Sequence, residues 1–143
     1  MTKTLISGAR IIDGSGSPAF QGSVLIEDDR IRAVSRTPLA VADARNVDAS
    51  GLALAPGFID VHAHSDLSIL AEPEAVGKIS QGITSELSGN CGLSAFPIRT
   101  VEVREHLEKL YRTYGVALTW RDFSSYADAV TAARPAINVG FLC

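Results

Sequence analysis

No run of about 18 consecutive apolar residues occurs along the chain, so no membrane-spanning helix is expected. Blocks of lysine or arginine are missing as well. The net charge of −3 comes from interspersed signs, which leaves nucleic-acid and membrane-surface binding without support. The opening MTKTLISGARIID has one lysine and no sustained apolar stretch, unlike a secretory signal. Cysteine is scarce: Cys91 and Cys143 do not make a disulfide framework, and a reducing, cytoplasmic setting is expected. The glycine–serine run at Gly14–Ser17 lacks both the G-x-S-x-G and the G-x-G-x-x-G spacing, and reads as a flexible loop. What is present is 143 residues, 46% hydrophobic and 20% charged, which is ordinary soluble-protein composition. That length suits one domain, or one domain and part of another.

The first fifty or so residues read as a small antiparallel sheet. Thr4–Ile12 is rich in Ile and Leu, DGSGSP is turn material, and Ser23–Ile26 and Arg30–Val34 flank a hairpin turn at Glu27–Asp29. Residues 37–46 read as loop, with a short strand around Val47. From Leu52 the pattern changes. Leu52–Val61 is apolar on both parities, as in a strand buried on both faces, with Pro56-Gly57 interrupting it. A helix follows with Pro73 in its first turn and Gly82 as its stop, then a strand at Ile83–Leu87. Val103, Leu107, Leu110, Tyr111 and Tyr114 recur at helical spacing before Gly115, and Phe123–Arg134 repeats the pattern, capped by Asp122 or Thr119 and stopped by Pro135. Ile137–Leu142 is a further apolar strand. Strand, helix, strand, helices, strand is the alternation of a parallel α/β sheet with right-handed crossovers.

Chemistry concentrates in GFIDVHAHSD, where two of the three histidines stand one residue apart. On a strand, the i, i+2 pair shares a face, and Asp60 lies on that face as well. His62 and His64 fall at the carboxyl end of one predicted strand and Cys91 just past the carboxyl end of the next. That rim is where sites in parallel sheets lie. Two neutral imidazoles and a thiolate are three N/S donors, which favours zinc over magnesium or calcium. Asp60 is a candidate acceptor that orients a ligand imidazole from behind. Asp66 reads as a surface residue without a role, His106 as a half-exposed helix residue, and Cys143 as packing. Trp120 is expected to pack at a helix start.

The stretch PGFIDVHAHSD, preceded by β-rich sequence, resembles the amidohydrolase superfamily of metal-dependent TIM-barrel hydrolases. QGITSELSGNCGLSAFP is similar to the D-aminoacylase, or N-acyl-D-amino-acid deacylase, branch, as are WRDFSSY and AINVGFLC. The resemblance covers essentially the whole chain. It implies a small β-sandwich portion over residues 1–54 and the first βα units of a TIM barrel over 55–143. It also implies hydrolysis of the amide of small-molecule N-acyl-D-amino acids by metal-activated water, with one or two zinc ions. His62 and His64 would be ligands of one metal position and Cys91 of an adjacent one. Members usually have Phe after GNCG, where Leu93 stands here, which bears on substrate preference. The further histidine ligands, the proton-handling aspartate and the substrate-gripping residues of that branch match no position up to 143.

A closed TIM barrel needs eight strand–helix units and about 250 residues, and only three barrel-type strands are read here. The expectation is therefore an amino-terminal part that is inactive alone, the rest of the barrel coming from elsewhere. The alternatives are another amidohydrolase (a cyclic amidase, a dihydroorotase-like enzyme or a dipeptidase) and a non-catalytic interaction module. Relatives of those other enzyme types often bridge their metals through a modified lysine. Lys3, Lys78 and Lys109 are the lysines here, and none ends a predicted barrel strand.

Overall fold

A computed structural model describes residues 2–143. The chain divides into two units, Met1–Pro56 and Gly57–Cys143.

The first unit is a five-stranded sheet of β1 (Lys3–Ile11), β2 (Phe20–Glu27), β3 (Arg30–Ser35), β4 (Arg45–Asp48) and β5 (Ala53–Leu54). β1 and β2 pair antiparallel, as do β2 and β3. The hairpin turn between β2 and β3 places Asp28 at φ +53, a conformation aspartate tolerates. The sheet is not purely antiparallel, however: β4 and β5 both run parallel to β1. The cause lies in the connection after β3. A long loop, unlike a tight hairpin, lets the returning strand lie in the same direction as its neighbour. Gly8, at φ +73, sits where the β1–β2 register slips between Ile6 and Ala9. Ala9, Ile11, Val24 and Ala49 form the buried cluster of this unit.

The second unit is a parallel sheet in the order β6 (Phe58–Asp60), β7 (Ile83–Ser88), β8 (Asn138–Phe141). Helix α1 (Val76–Ile79) lies between β6 and β7 in sequence, and α2 (Val101–Arg112) and α3 (Phe123–Ala133) between β7 and β8. Successive strands are neighbours and parallel, the layout of consecutive βα units. The α2 amino terminus is capped by Thr100 Oγ1, which accepts from Val103 N–H at 3.3 Å. Asp122 caps α3 with a reciprocal capping box to Ser125. The core behind the sheet is aromatic. Trp120 packs edge-on against Tyr111 at 4.9 Å between centroids and lies 5.0 Å from Tyr126, and its Nε1 donates to the Ala95 carbonyl at 3.0 Å. Ile69, Phe96, Leu107, Val130 and Ile137 complete it.

Three local expectations are corrected. Leu52–Val61 is not one strand buried on both faces: Pro56-Gly57 separates β5 from β6. Phe58, Ile59 and Val61 are 61%, 68% and 67% exposed, because β6 pairs on one side only, with β7. The helix expected from Pro73 is the four-residue α1. Pro73 stays outside it, its carbonyl accepting from Ala136 N–H at 2.8 Å, and Ala75 adopts φ +45 at the helix entry. Cys143 is exposed rather than packed. Among the described residues, no helix is long and apolar enough to cross a membrane.

Candidate metal centre

Strand β6 ends at Asp60, so His62 and His64 lie in the loop beyond it. Their convergence therefore comes from how that loop is tied down, not from strand alternation. Ala63 N–H donates to the Leu87 carbonyl at 3.0 Å. Asn90 Nδ2 donates to the carbonyls of Ala63 at 3.1 Å and Leu87 at 2.8 Å. The loop after β6 is thus fastened to the carboxyl end of β7, next to the turn that carries Cys91.

That second turn is shaped by backbone conformation. Cys91 itself adopts φ +57, a left-handed conformation that costs a non-glycine residue energy. Gly89, at φ +87, lies so close to the end of β8 that a Cβ there would run into the Leu142 carbonyl. Gly89, two residues before the cysteine, is needed for backbone approach, and the neighbour it approaches is Leu142.

One donor atom from each of His62, His64 and Cys91 lies within 4.8 Å of the others. His62 Nε2 is 3.2 Å from Cys91 Sγ, and the two imidazole rings stand 5.5 Å apart with an interplanar angle of 71°. Tetrahedral zinc with bonds of about 2.0–2.3 Å holds its ligand atoms roughly 3.3–3.8 Å from one another. The three donors already approach that spacing. All three side chains are exposed, so the spot is open on one side.

Asp60 is engaged differently from expectation. Its Oδ2 pairs with Lys78 Nζ, and its Oδ1 accepts from the backbone N–H of His62 at 3.1 Å; it does not hold an imidazole. Lys78, followed by the His62 N–H, keeps its carboxyl below the ordinary aspartate value. Lys78 also contacts Glu86 Oε2 at 3.2 Å. Burial works against its ammonium, but the two carboxylates outweigh it and leave the lysine pKa raised.

Three residues went unrecognised in the sequence. Asp66 is not at the surface: it is 1% exposed, and neither carboxylate oxygen has a hydrogen-bond partner among the described residues. Burial pushes its carboxyl up. Glu86 is buried within the strand ITSELS, where its Thr84, Ser85 and Ser88 neighbours let it read as an ordinary polar strand residue. Lys78 carried no signal, since only the fold brings α1 against the β6–β7 pair. His106 is exposed on α2 and lines, with Asp66, Leu93, Leu107 and Leu110, a cavity of about 350 Å³.

Parallel βα units in series, with two histidines and a cysteine gathered beyond the strand ends, are the layout of consecutive units of a βα barrel. The chain belongs to the Amidohydrolase family, which it matches over residues 45–143. It is 45% identical over 106 residues to the N-acyl-D-aspartate deacylase of Alcaligenes xylosoxydans xylosoxydans, covering 74% of this chain and 21% of that protein. To the D-aminoacylase of the same organism it is 38% identical over 134 residues, 94% of this chain and 27% of the other. Among solved structures, a D-aminoacylase described by its binuclear metal centre superimposes with TM-score 0.80 at 35% identity, covering 97% of this chain and 29% of that one. The N-acyl-D-glutamate deacylase of Bordetella bronchiseptica, complexed with zinc and a phosphonate mimic of the tetrahedral intermediate, superimposes with TM-score 0.77 at 36% identity, covering 99% and 29%. The chain thus spans between 21% and 28% of the length of the curated deacylases it matches.

Proposed function

We propose that this chain is the metal-holding amino-terminal part of a zinc-dependent hydrolase that cleaves the amide of N-acyl-D-amino acids. In this reading residues 1–54 are the β-rich accessory segment, and residues 55–143 open the TIM barrel. The observation that carries the proposal is the meeting of His62, His64 and Cys91 donor atoms within 4.8 Å. Likeness to three deacylases of D-amino acid derivatives supports the substrate class.

The donor chemistry fits the ion. Two imidazoles and a thiolate are soft to borderline ligands, and their number leaves a position free, as in catalytic rather than structural zinc sites. When bound, zinc polarises an amide carbonyl and lowers the pKa of water toward about 7. His62 and His64 would present neutral ring nitrogens, and Cys91 its thiolate, to one ion or to a pair. Asp60 holds the backbone of His62 in place and Asn90 that of Ala63. The cavity lined by Leu93, Leu107 and Leu110 offers apolar surface for an acyl or side-chain group.

Three strands do not close a barrel, so the 143-residue chain alone is expected to hold zinc and to turn over N-acyl-D-amino acids negligibly. Zinc content of the purified chain tests the reading. It should fall in the Cys91→Ala and His62→Ala variants, and unchanged content would favour a non-catalytic module. Deacylation should emerge only when the remaining barrel is supplied, and with D- rather than L-configured substrates.

A further inference from the structure

We infer that Lys78 is a positioning residue: it joins Asp60 and Glu86 into a clamp on both ends of the loop that carries His62 and His64. The inference rests on the metal reading of that loop. Asp60 on β6 is paired directly with Glu86 on β7. Directly paired residues of neighbouring strands project to one face, and like charges so placed repel. Glu86 is also buried, its side chain fully shielded. A carboxylate in that position needs a cation and hydrogen bonds to remain ionised.

Lys78 supplies the cation to both acids, pairing with Asp60 Oδ2 and lying 3.2 Å from Glu86 Oε2. What each acid does with its remaining capacity is the informative part. Asp60 Oδ1 accepts from the His62 N–H at 3.1 Å, at the start of the loop. Glu86 Oε2 accepts from Ser65 Oγ at 2.8 Å, one residue past His64. One ammonium group therefore fixes the distance between two acids that grip opposite ends of a histidine-bearing segment. A plain stabilising ion pair would have no reason to terminate at both of those ends. Without the ammonium, the facing carboxylates repel one another and must separate or turn aside. Either way the loop ends shift relative to Cys91, whose turn meets the middle of that loop through Asn90 and the Ala63 carbonyl rather than through Asp60 or Glu86.

Cobalt(II), which reports thiolate ligation through a near-ultraviolet sulfur-to-metal band, tests this on the 143-residue chain. The variants are Lys78→Met, Lys78→Arg and Glu86→Gln, each with a metal-free thermal melt to follow the fold. Lys78→Met should weaken cobalt binding by about tenfold or more, the range seen when partners behind a ligand are removed, and should alter the visible bands. Lys78→Arg should restore most of the affinity. If Lys78→Met does not fold, Glu86→Gln, which keeps shape and removes the buried charge, carries the same expectation of weakened binding. Variants that melt lower yet bind cobalt with unchanged affinity and spectrum would overturn the clamp and leave Lys78 a structural residue. A wild-type chain that gives no sulfur-to-cobalt band would overturn the metal reading itself, and the clamp with it.

Discussion

The hydroxyls of Tyr111 on α2 and Tyr126 on α3 both donate to one acceptor, the backbone carbonyl of Asp66, Tyr126 at 2.9 Å. Two helices are thereby tied to the segment that follows His64, and the aromatic core is coupled directly to the loop holding the candidate ligands. Burial is the main reason both phenols are held above the ordinary tyrosine value of 10.0, with the Asp66 charge adding to it at both sites. Tyr126 also feels Tyr111.

A raised phenol pKa means the folded state retains protons that the unfolded state releases. The associated stability is complete below pH 10 and is lost as pH rises above it. In an absorbance titration at 295 nm, Tyr111 and Tyr126 should stay protonated at about pH 11 and ionise only together with loss of the circular dichroism signal. Ionisation of both near pH 10 with the fold intact would contradict this.

Trp120, 2% exposed and wedged between Tyr111 and Tyr126, is the centre of that core. Trp120→Ala should cost about 3–5 kcal/mol by urea unfolding followed by circular dichroism. Against the 5–15 kcal/mol typical of a domain, that is a large share of the total and should lower the urea midpoint markedly. A loss under about 1 kcal/mol would mean the indole packs far more loosely than its burial implies.

Gly89 and Gly92 flank the Cys91 turn with positive φ of +87 and +72, but they differ in surroundings. A Cβ at Gly89 would collide with the Leu142 carbonyl, whereas one at Gly92 meets nothing within 4 Å. Gly92→Ala should cost only the left-handed penalty of about 1–2 kcal/mol and leave zinc affinity nearly intact. Gly89→Ala should displace the turn from β8 and weaken zinc binding markedly. Competition with a chromophoric chelator measures both. Equal affinities for the two variants would show that the contact with β8 does not set the position of Cys91.

Much of this layout was legible from residues alone. Periodicity placed the two long helices, with Gly115 and Pro135 read as their stops and Asp122 as one of two candidate caps of the second, whereas the Thr100 cap of α2 went unread. The rim carrying the two histidines and Cys91 followed from strand order. What was not legible depends on contacts between distant segments. The parallel course of β4 and β5 is set by a long return loop, and the exposure of Phe58 and Ile59 by the lack of a second neighbour for β6. Asp66 looked like a loop residue because nothing local announces that Tyr111 and Tyr126 will close over it. Asp60 was expected behind a ligand imidazole, but its partner is an ammonium from α1.

X-ray absorption at the zinc edge on the zinc-loaded chain is the most direct measurement of the convergence of His62, His64 and Cys91. One sulfur neighbour at about 2.3 Å and nitrogen neighbours at about 2.0–2.1 Å are expected, the sulfur vanishing in Cys91→Ser. A spectrum with oxygen and nitrogen neighbours alone, unchanged by that substitution, would contradict it.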